Sequence, residues 1–138
     1  MTECIFCKIV ERQVPAQIVH EDDQALAIMD IGHVNPGHTL VLSKRHVETL
    51  MDADEDLAGH VFRIANRVAK AVEEVFAPDG VTILQANRPA GFQTVPHFHL
   101  HVLPRTRDDG VALVWPAKSP PQERLAEYAR NLQRVLSG

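Results

Sequence analysis

The chain has 138 residues, of which 45% are hydrophobic and 23% charged, as in ordinary soluble globular proteins. We therefore expect a single domain over residues 1–138 with a substantial core. The net charge of −4 argues against a nucleic-acid partner, which needs a basic patch. The first residues lack a signal-peptide pattern and no apolar run is long enough to span a membrane, so a cytoplasmic location without a membrane partner is expected.

The N-terminal segment Cys4-Ile5-Phe6-Cys7-Lys8-Ile9-Val10 has the apolar spacing of a short helix with one buried side. Its Cys4-x-x-Cys7 pair has three interpretations, namely two buried thiols, a redox dithiol or half of a zinc site. No strand precedes the pair, which disfavours the redox interpretation. The zinc interpretation requires two further ligands from elsewhere in the chain.

A hairpin is predicted next, because Gln17 to His20 and Ala25 to Asp30 are short strand-like segments joined by the acidic turn 21–23. A loop containing glycine and proline follows over residues 31–37. His38 to Ser43 then predicts a third strand, whose apolar centre suggests a position in the middle of a sheet.

The longest predicted element is a helix from Asp52 to Phe76. Its apolar residues recur at steps of three and four and define one face. That face consists of Leu57, Val61, Ile64, Val68, Val72 and Val75. Asp52 and Glu55 predict a capping pair at the start of the helix. The segment Pro78-Asp79-Gly80 ends it.

The remaining elements are two strands, a short edge strand and a helix. Val81 to Ala86 and His97 to Leu103 predict the fourth and fifth strands, and Val111 to Trp115 predicts the edge strand. A C-terminal helix is predicted from Gln122 to Leu136, after Pro120-Pro121. Its inner face would consist of Leu125, Tyr128, Leu132 and Val135. Hairpin strands with one long helix between them predict an α+β fold, in which helices pack on one face of an antiparallel sheet.

Histidine and apolar residues alternate in His97-Phe98-His99-Leu100-His101-Val102-Leu103-Pro104. Because successive side chains of a strand point to opposite faces, the three histidines share one face and the apolar residues face the core. Imidazole can act as a nucleophile, an acid, a base or a metal ligand. The preceding loop, residues 87–96, brings amide, hydroxyl and backbone N–H donors that suit anionic oxygens. The pattern therefore indicates either a metal site or phosphate chemistry.

This histidine segment resembles the signature of the histidine triad (HIT) superfamily. The approach through Gly91, Gln93 and Thr94 and the exit through Pro104-Arg105 are similar too, and the resemblance reaches back to Cys4. It implies a HIT-like α+β fold, with a five-stranded antiparallel sheet, one long central helix, a short N-terminal helix and a C-terminal helix. It also implies a homodimer, in which a helix and an edge strand pair across a two-fold axis.

The resemblance further implies attack on the α-phosphate of a purine nucleotide conjugate. His99 would be the nucleophile, and His101 a phosphate contact that can donate a proton. His97 would order the strand and hold the tautomer of His99, while His38 would lie near the phosphate. The implied phosphate contacts are Asn87, Gly91, Gln93, Thr94 and His101. His38 and Asn87 also fit purely structural roles.

For the nucleoside, Asp30 corresponds to a carboxylate that bonds both ribose hydroxyls, although it also fits a turn cap. The base would lie in an apolar cleft, where each residue could equally be plain core. The implied cleft residues are Ile5, Phe6, Ile9, Val14, Ile28 and Ile31. Cys4, Cys7, His46 and His97 resemble the zinc set of bacterial members, a closed structural Cys₂His₂ site for Zn²⁺.

Two functions stay open. The first is a nucleotidyl hydrolase or transferase that forms a nucleotidyl-histidine intermediate and releases nucleoside monophosphate. Its substrates would be nucleoside phosphoramidates, dinucleoside polyphosphates or adenylylated small molecules. The Cys-x-x-Cys start and Asp30 favour the phosphoramidase branch, whereas Gly91-Phe92-Gln93-Thr94 and Pro104-Arg105 resemble the dinucleoside polyphosphate hydrolases, so both branches stay open. The alternative is a nucleotide-binding, zinc-stabilised interaction protein with little catalysis, which the intact triad disfavours.

Overall fold

The computed structural model describes residues 3–138, and within them the chain forms the predicted α+β fold. The helices are α1 (Ile5–Val10), α2 (Glu55–Phe76) and α3 (Gln122–Leu136). The strands are β1 (Ile18–Glu21), β2 (Ala25–Met29), β3 (Thr39–Ser43), β4 (Gly80–Leu84) and β5 (His99–Arg105). They form one antiparallel sheet in the order β1-β2-β3-β5-β4. None of the helices in residues 3–138 is long and apolar enough to cross a membrane.

Helix α2 covers one face of the sheet and forms the larger core with it. The sheet side consists of alternate residues of the central strands together with Phe98, which directly precedes β5; the strand residues are Ala25, Ala27, Val41, Leu100 and Val102. The predicted face of α2 is buried from Leu57 to Val72, but Val75 is 70% exposed. Val75 belongs to the last turn, where the chain leaves the helix through Ala77 in a left-handed conformation. The buried face therefore ends one turn earlier than predicted.

Helix α1 lies on the opposite face of the sheet, so the prediction that the helices share one face is wrong. A second apolar cluster there contains Phe6, Ile9, Leu26, Ile28, Leu40 and Leu42. Because β2 and β3 are buried on both faces, their alternate residues supply both clusters. In the β3–β5 register Leu40 pairs with His101 and Leu42 with His99. The histidines of β5 therefore lie on the α1 side of the sheet.

The start of α2 also differs from the prediction. Asp54 is the N-cap, and its carboxylate accepts a hydrogen bond from the Leu57 N–H at 2.8 Å. Asp52 instead accepts from the Thr49 hydroxyl at 2.7 Å, in a preceding 3₁₀ turn. The predicted Asp52–Glu55 capping pair is therefore wrong. Both Asp52 and Asp54 are residues that can cap a helix, but Asp54 caps α2 and Asp52 caps the 3₁₀ turn before it.

The C-terminal segment is more exposed than predicted. No strand forms over residues 111–115. Helix α3 has the predicted bounds, but its predicted inner face is exposed, with Leu125 at 41%, Tyr128 at 50%, Leu132 at 64% and Val135 at 78%. Within the described residues this face joins neither buried cluster. An amphipathic pattern predicts a face that needs cover, but not that the same chain provides it.

Candidate active site

A cleft of about 300 Å³ opens on the α1 side of the sheet, beside the histidines of β5. All the residues predicted to hold the nucleoside line it: Ile5, Phe6, Ile9, Val14, Ile28, Asp30 and Ile31. Sequence reasoning missed five others, namely Pro15, Ala16, Met29, Leu40 and Val95. Leu40 could have been predicted from the β2–β3 register, because Leu40 pairs with Ile28. The sequence alone does not give that register.

His99 is held in one tautomer within this cleft. Its Nδ1–H donates to the backbone carbonyl of His97 at 2.6 Å, so Nε2 keeps its lone pair. The side chain is only 5% exposed, and the ring of Phe6 packs edge-on at 5.0 Å. Burial lowers the pKa of His99, although the His97 carbonyl and the Asp30 charge oppose this effect. The result is a neutral imidazole with a bare Nε2, which is the form a nucleophile requires.

His97 contacts His99 through its backbone rather than its ring. Strand β5 begins at His99, two residues later than predicted. His97 therefore lies in the bend before the strand. The His97 ring donates from Nε2 to the Ser43 carbonyl at 2.6 Å. Its Nδ1 is directed toward the two cysteines. The ring therefore belongs to a different cluster from the His99 ring.

His38 and His101 form a second histidine pair beside the cleft. His38 Nε2 lies 2.9 Å from His101 Nδ1 and 3.4 Å from an oxygen of Asp30. Burial lowers the pKa of both rings, that of His101 to about 4. The rings of His99 and His101 lie 5.2 Å apart, so both imidazoles and the carboxylate can reach one bound ligand.

The predicted phosphate loop is only partly directed at the cleft. Thr94, whose side chain carries a hydroxyl donor, lines it together with His99 and His101. Gly91 lies at the end of a 3₁₀ turn, outside the residues that line the cleft.

The two loop amides brace neighbouring segments. Gln93 donates to the Glu48 carbonyl at 2.6 Å and accepts from the Arg88 N–H at 2.6 Å. Asn87 accepts from the Leu50 N–H at 2.7 Å and donates to the side chain of Gln85 at 2.8 Å. Neither amide lines the cleft, so the structure brings Thr94 and His101 to the histidine face but not Asn87 or Gln93.

Cys4, Cys7, His46 and His97 converge from three separate parts of the described chain, because both cysteines belong to the α1 segment. The Cys4 and Cys7 sulfurs lie 3.3 and 3.6 Å from His97 Nδ1, and the Cys7 sulfur lies 3.2 Å from His46 Nδ1. The two Nδ1 atoms are 3.2 Å apart. A tetrahedral zinc ion with Zn–S of about 2.3 Å and Zn–N of about 2.0 Å requires ligand separations of roughly 3.3–3.8 Å. The donor set and its spacing therefore fit zinc.

The hydrogen bonds around this cluster also suit a metal. His97 donates from Nε2 to the Ser43 carbonyl, which leaves the Nδ1 lone pair facing the cysteines. Metal-binding histidines usually make this kind of outer hydrogen bond. Burial lowers the pKa of His97 to about 4, and the neutral ring is the form that binds metals.

Comparisons with known families and solved structures identify the family of this chain. Residues 11–108, more than half of the chain, match the HIT domain. The chain belongs to the HIT family. Among curated relatives, the protein Hit of Bacillus subtilis (strain 168) is 39% identical over 113 residues, covering 81% of this chain and 78% of the relative. An adenosine 5′-monophosphoramidase of Saccharomyces cerevisiae is 32% identical over 136 residues, covering 98% of this chain and 84% of the relative.

Solved HIT structures have the same fold. The crystal structure of a HIT family protein from Bacillus anthracis matches with a TM-score of 0.92 and 35% identity, covering 96% of both chains. A zinc-bound histidine triad family protein from Mycobacterium smegmatis matches with a TM-score of 0.75 and 34% identity, covering 98% of this chain and 96% of the other.

Proposed function

We propose that this HIT protein is a nucleotidyl hydrolase or transferase that acts on the α-phosphate of purine nucleotide conjugates. The observation that carries the proposal is His99, a buried neutral imidazole with a bare Nε2 in a cleft shared with His101 and Asp30. Relatives from two yeasts, 32% and 30% identical, are named adenosine 5′-monophosphoramidases. This favours nucleoside phosphoramidates over dinucleoside polyphosphates and other adenylylated molecules as the substrate class.

The reaction would have two displacements. In the first, the Nε2 lone pair of His99 attacks the α-phosphorus, and the bond to the leaving group breaks with its electron pair on that group, which takes up a proton. In the second, water attacks the phosphorus of the nucleotidyl-histidine, loses a proton and returns the electron pair to Nε2. Nucleoside monophosphate is released. Splitting one displacement into two is the usual advantage of a covalent intermediate.

Charge that builds on the phosphoryl oxygens needs donors already in place. We assign this role to Thr94 and His101, because both line the cleft with the nucleophile. Asn87 and Gln93 would act indirectly, since their amides hold the loop to Leu50 and Glu48. Gly91 lies outside the cleft lining, so the contact predicted for its backbone stays a prediction.

The nucleoside would occupy the apolar part of the cleft, with the ribose against Asp30. One Asp30 oxygen accepts from the Gly32 N–H at 2.8 Å, so Asp30 also serves as the turn residue that the sequence allowed. Its side chain is 20% exposed, and it lines the cleft. Apolar walls such as Phe6 and Ile28 would favour purines through contact area rather than hydrogen bonds.

This assignment predicts a ribose preference. A carboxylate that accepts from both ribose hydroxyls makes charge-assisted hydrogen bonds. We expect AMP to bind more tightly than 2′-deoxy-AMP by about 1–2 kcal/mol, allowing for replacement of the lost bond by water. Asp30→Ala should weaken AMP binding and largely erase the difference between the two nucleotides, because groups in direct contact are non-additive. Calorimetric titration of both proteins with both nucleotides measures the full cycle.

The matched variant for this cycle is Asp30→Asn, which can still accept from the Gly32 N–H but lacks the charge. It should lose most of the ribose preference while keeping the turn. If Asp30→Ala keeps the whole preference, Asp30 is a turn residue only, and the nucleoside end of the assignment is wrong.

The proposed activity is tested with three substrates, adenosine phosphoramidate, diadenosine polyphosphates of different lengths and adenylylated lysine. Release of AMP is followed, and the phosphoramidate is expected to give the highest kcat/KM. Tight AMP binding without turnover of any of the three would instead favour the alternative, a nucleotide-binding and zinc-stabilised interaction protein.

We further propose that Cys4, Cys7, His46 and His97 hold a structural zinc ion. A closed four-ligand site supplies folding energy and no open position for chemistry. The ligands would join α1, the segment after β3 and the segment before β5, three parts of the chain that are distant in sequence. His99 and His101 are outside this donor set and stay available to the substrate.

We also propose a homodimer, in which α3 packs against the second copy. Its apolar residues at positions 125, 128, 132 and 135 follow a heptad spacing and are exposed in the single chain. Leu132→Asp would place a charge in that interface, so we expect the dimer to dissociate at least about tenfold more readily, roughly 1.4 kcal/mol. Analytical ultracentrifugation over a range of concentrations measures the change.

The control for this prediction is Ala126→Asp, which adds the same charge on the other side of α3. Ala126 is exposed and lies outside the apolar face. It should leave the dimer unchanged. Identical dissociation constants for wild type and Leu132→Asp would exclude α3 from the interface, and a monomer at every concentration would exclude the dimer.

A further inference from the structure

Asp30, His38 and His101 form a cluster that the zinc proposal does not use. Their ligand atoms lie within 4.8 Å of one another. Two imidazoles and a carboxylate in this arrangement suit either a transition-metal ion or a chain of hydrogen bonds. The position of the hydrogen on His38 distinguishes the two.

The backbone N–H of Val34 donates to His38 Nδ1 at 3.2 Å. Nδ1 therefore keeps its lone pair, and neutral His38 carries its hydrogen on Nε2. If a metal were bound at Nε2 of His38, the hydrogen of the neutral ring would have to lie on Nδ1, where it would face the N–H of Val34. His97 has the opposite pattern, because its outer nitrogen donates to the Ser43 carbonyl and leaves the inner one bare. The His38 cluster is therefore a hydrogen-bonded chain.

This chain also fixes the tautomer of His101. His38 Nε2–H donates to His101 Nδ1, so neutral His101 carries its hydrogen on Nε2. If His101 became an imidazolium, its Nδ1 would also carry a hydrogen, which would face the Nε2 hydrogen of His38. His38 could relieve this repulsion only by moving its hydrogen to Nδ1, where it would face the N–H of Val34. The titratable groups that face His101 are His38, His99 and Asp30, and burial lowers its pKa to about 4 even though the Asp30 charge raises it.

We propose that His38 is a positioning residue that holds His101 as a neutral imidazole, which donates from Nε2 to the phosphoryl oxygens of the substrate. The inference deepens the proposed function and rests on it for the identity of the ligand. An uncharged imidazole is a competent donor to developing negative charge. The leaving group would then take its proton from solvent. This differs from the expectation, implied by the family resemblance, that His101 donates a proton.

The first test is spectroscopic and needs no substrate. Two-bond ¹H–¹⁵N correlation spectra of protein labelled at histidine distinguish the two neutral tautomers from the imidazolium, and single substitutions assign the rings. From pH 5.5 to 8, with and without AMP, His101 should stay neutral with hydrogen on Nε2. His99 should show the opposite tautomer. An imidazolium or an Nδ1–H at His101 above pH 6 overturns the proposal.

Variants of His38 separate positioning from a general effect on the fold. In His38→Ala, Nδ1 of His101 loses its donor, so the ring should become a mixture of tautomers and protonate at a higher pH. His38→Gln offers an amide N–H to the same atom and should restore the neutral Nε2–H form. His60→Gln, a change in a histidine that contacts Asp22, is the control and should leave the His101 signals unchanged. Unchanged His101 signals in His38→Ala overturn the positioning role.

The second test is kinetic and compares two AMP conjugates. A p-nitrophenyl ester releases a leaving group that needs no proton, whereas an alkyl phosphoramidate releases an amine that does. A neutral donor to the phosphoryl oxygens serves both reactions, so His38→Ala should lower kcat on both by a similar factor, about tenfold or more. His38→Gln should recover part of the loss on both.

The outcomes separate this inference from the proposed function. A loss confined to the phosphoramidate would make His101 a general acid and overturn the inference, while leaving the proposed function intact. If the wild-type protein turns over neither conjugate, the proposed function fails, and the spectra with AMP still decide whether His38 sets the state of His101.

Discussion

Replacing His99 should nearly abolish turnover while leaving the protein folded and able to bind AMP. His99→Asn removes the Nε2 lone pair but keeps an amide that can donate to the His97 carbonyl, the contact that orients the native ring at 2.6 Å. Loss of a nucleophile removes the covalent route altogether, so we expect kcat to fall by about a thousandfold or more, at least roughly 4 kcal/mol. AMP release under saturating substrate and calorimetric binding of AMP measure the two effects separately.

The control for His99→Asn is His20→Gln, because His20 contacts Asp22 on the first hairpin. It should keep wild-type kcat. A His99→Asn or His99→Ala protein that retains more than about a tenth of wild-type activity, a loss of less than about 1.4 kcal/mol, would show that His99 is not the nucleophile.

The parts of the fold that depend on local periodicity were predictable. The steps of three and four in α2 identify Leu57 to Val72 as buried, and the alternation from Phe98 into β5 places Phe98, Leu100 and Val102 in the core. In both, burial of one face follows directly from the geometry of the element. The histidines lie on the other face of β5 for the same reason.

The parts that depend on the arrangement of distant segments were less predictable. The short helix α1 has an apolar side, but its pattern does not say which face of the sheet it covers. The same holds for α3, whose apolar side is exposed in the single chain. A hydrophobic pattern predicts that a face needs a partner, while the identity of that partner is a tertiary or quaternary property.

The candidate site shows the same division. The seven residues predicted for the nucleoside all line the cleft, because the family resemblance transfers positions and not only patterns. The loop amides are different, since Asn87 and Gln93 hold neighbouring backbone at Leu50 and Glu48. An amide in a loop can bind a ligand or brace the backbone, and only the three-dimensional positions of donors and acceptors distinguish the two.

His97 connects the proposed metal site with the proposed nucleophile. Its ring faces Cys4 and Cys7, while its carbonyl holds the tautomer of His99. The ring is also fixed by the Ser43 carbonyl at 2.6 Å. If a metal bound there were lost, the His97 ring would keep its hydrogen bond to the Ser43 carbonyl. We therefore expect metal loss to lower the stability of the fold more than it lowers turnover.

Removal of zinc should lower the stability of this protein substantially. Protein purified under reducing conditions should contain about one zinc per chain, as a closed four-ligand site requires. Because a metal that binds only the folded state stabilises it by its binding free energy, chelation should cost at least about 3 kcal/mol and lower Tm by roughly 10 °C. Turnover measured well below Tm should fall by a smaller factor, since His99 and His101 lie outside the donor set.

Cys7→Ser tests whether the metal is the cause, because Cys7 is the buried cysteine of the proposed donor set and its sulfur contacts both His46 and His97. The variant should bind far less zinc and melt near the temperature of chelated wild type, and chelation should then change its Tm little. His60→Gln, outside the cluster, should keep both the zinc and the full response to chelation. If wild type contains no zinc, or if chelation lowers the Tm of Cys7→Ser as much as that of wild type, these four residues do not form a zinc site.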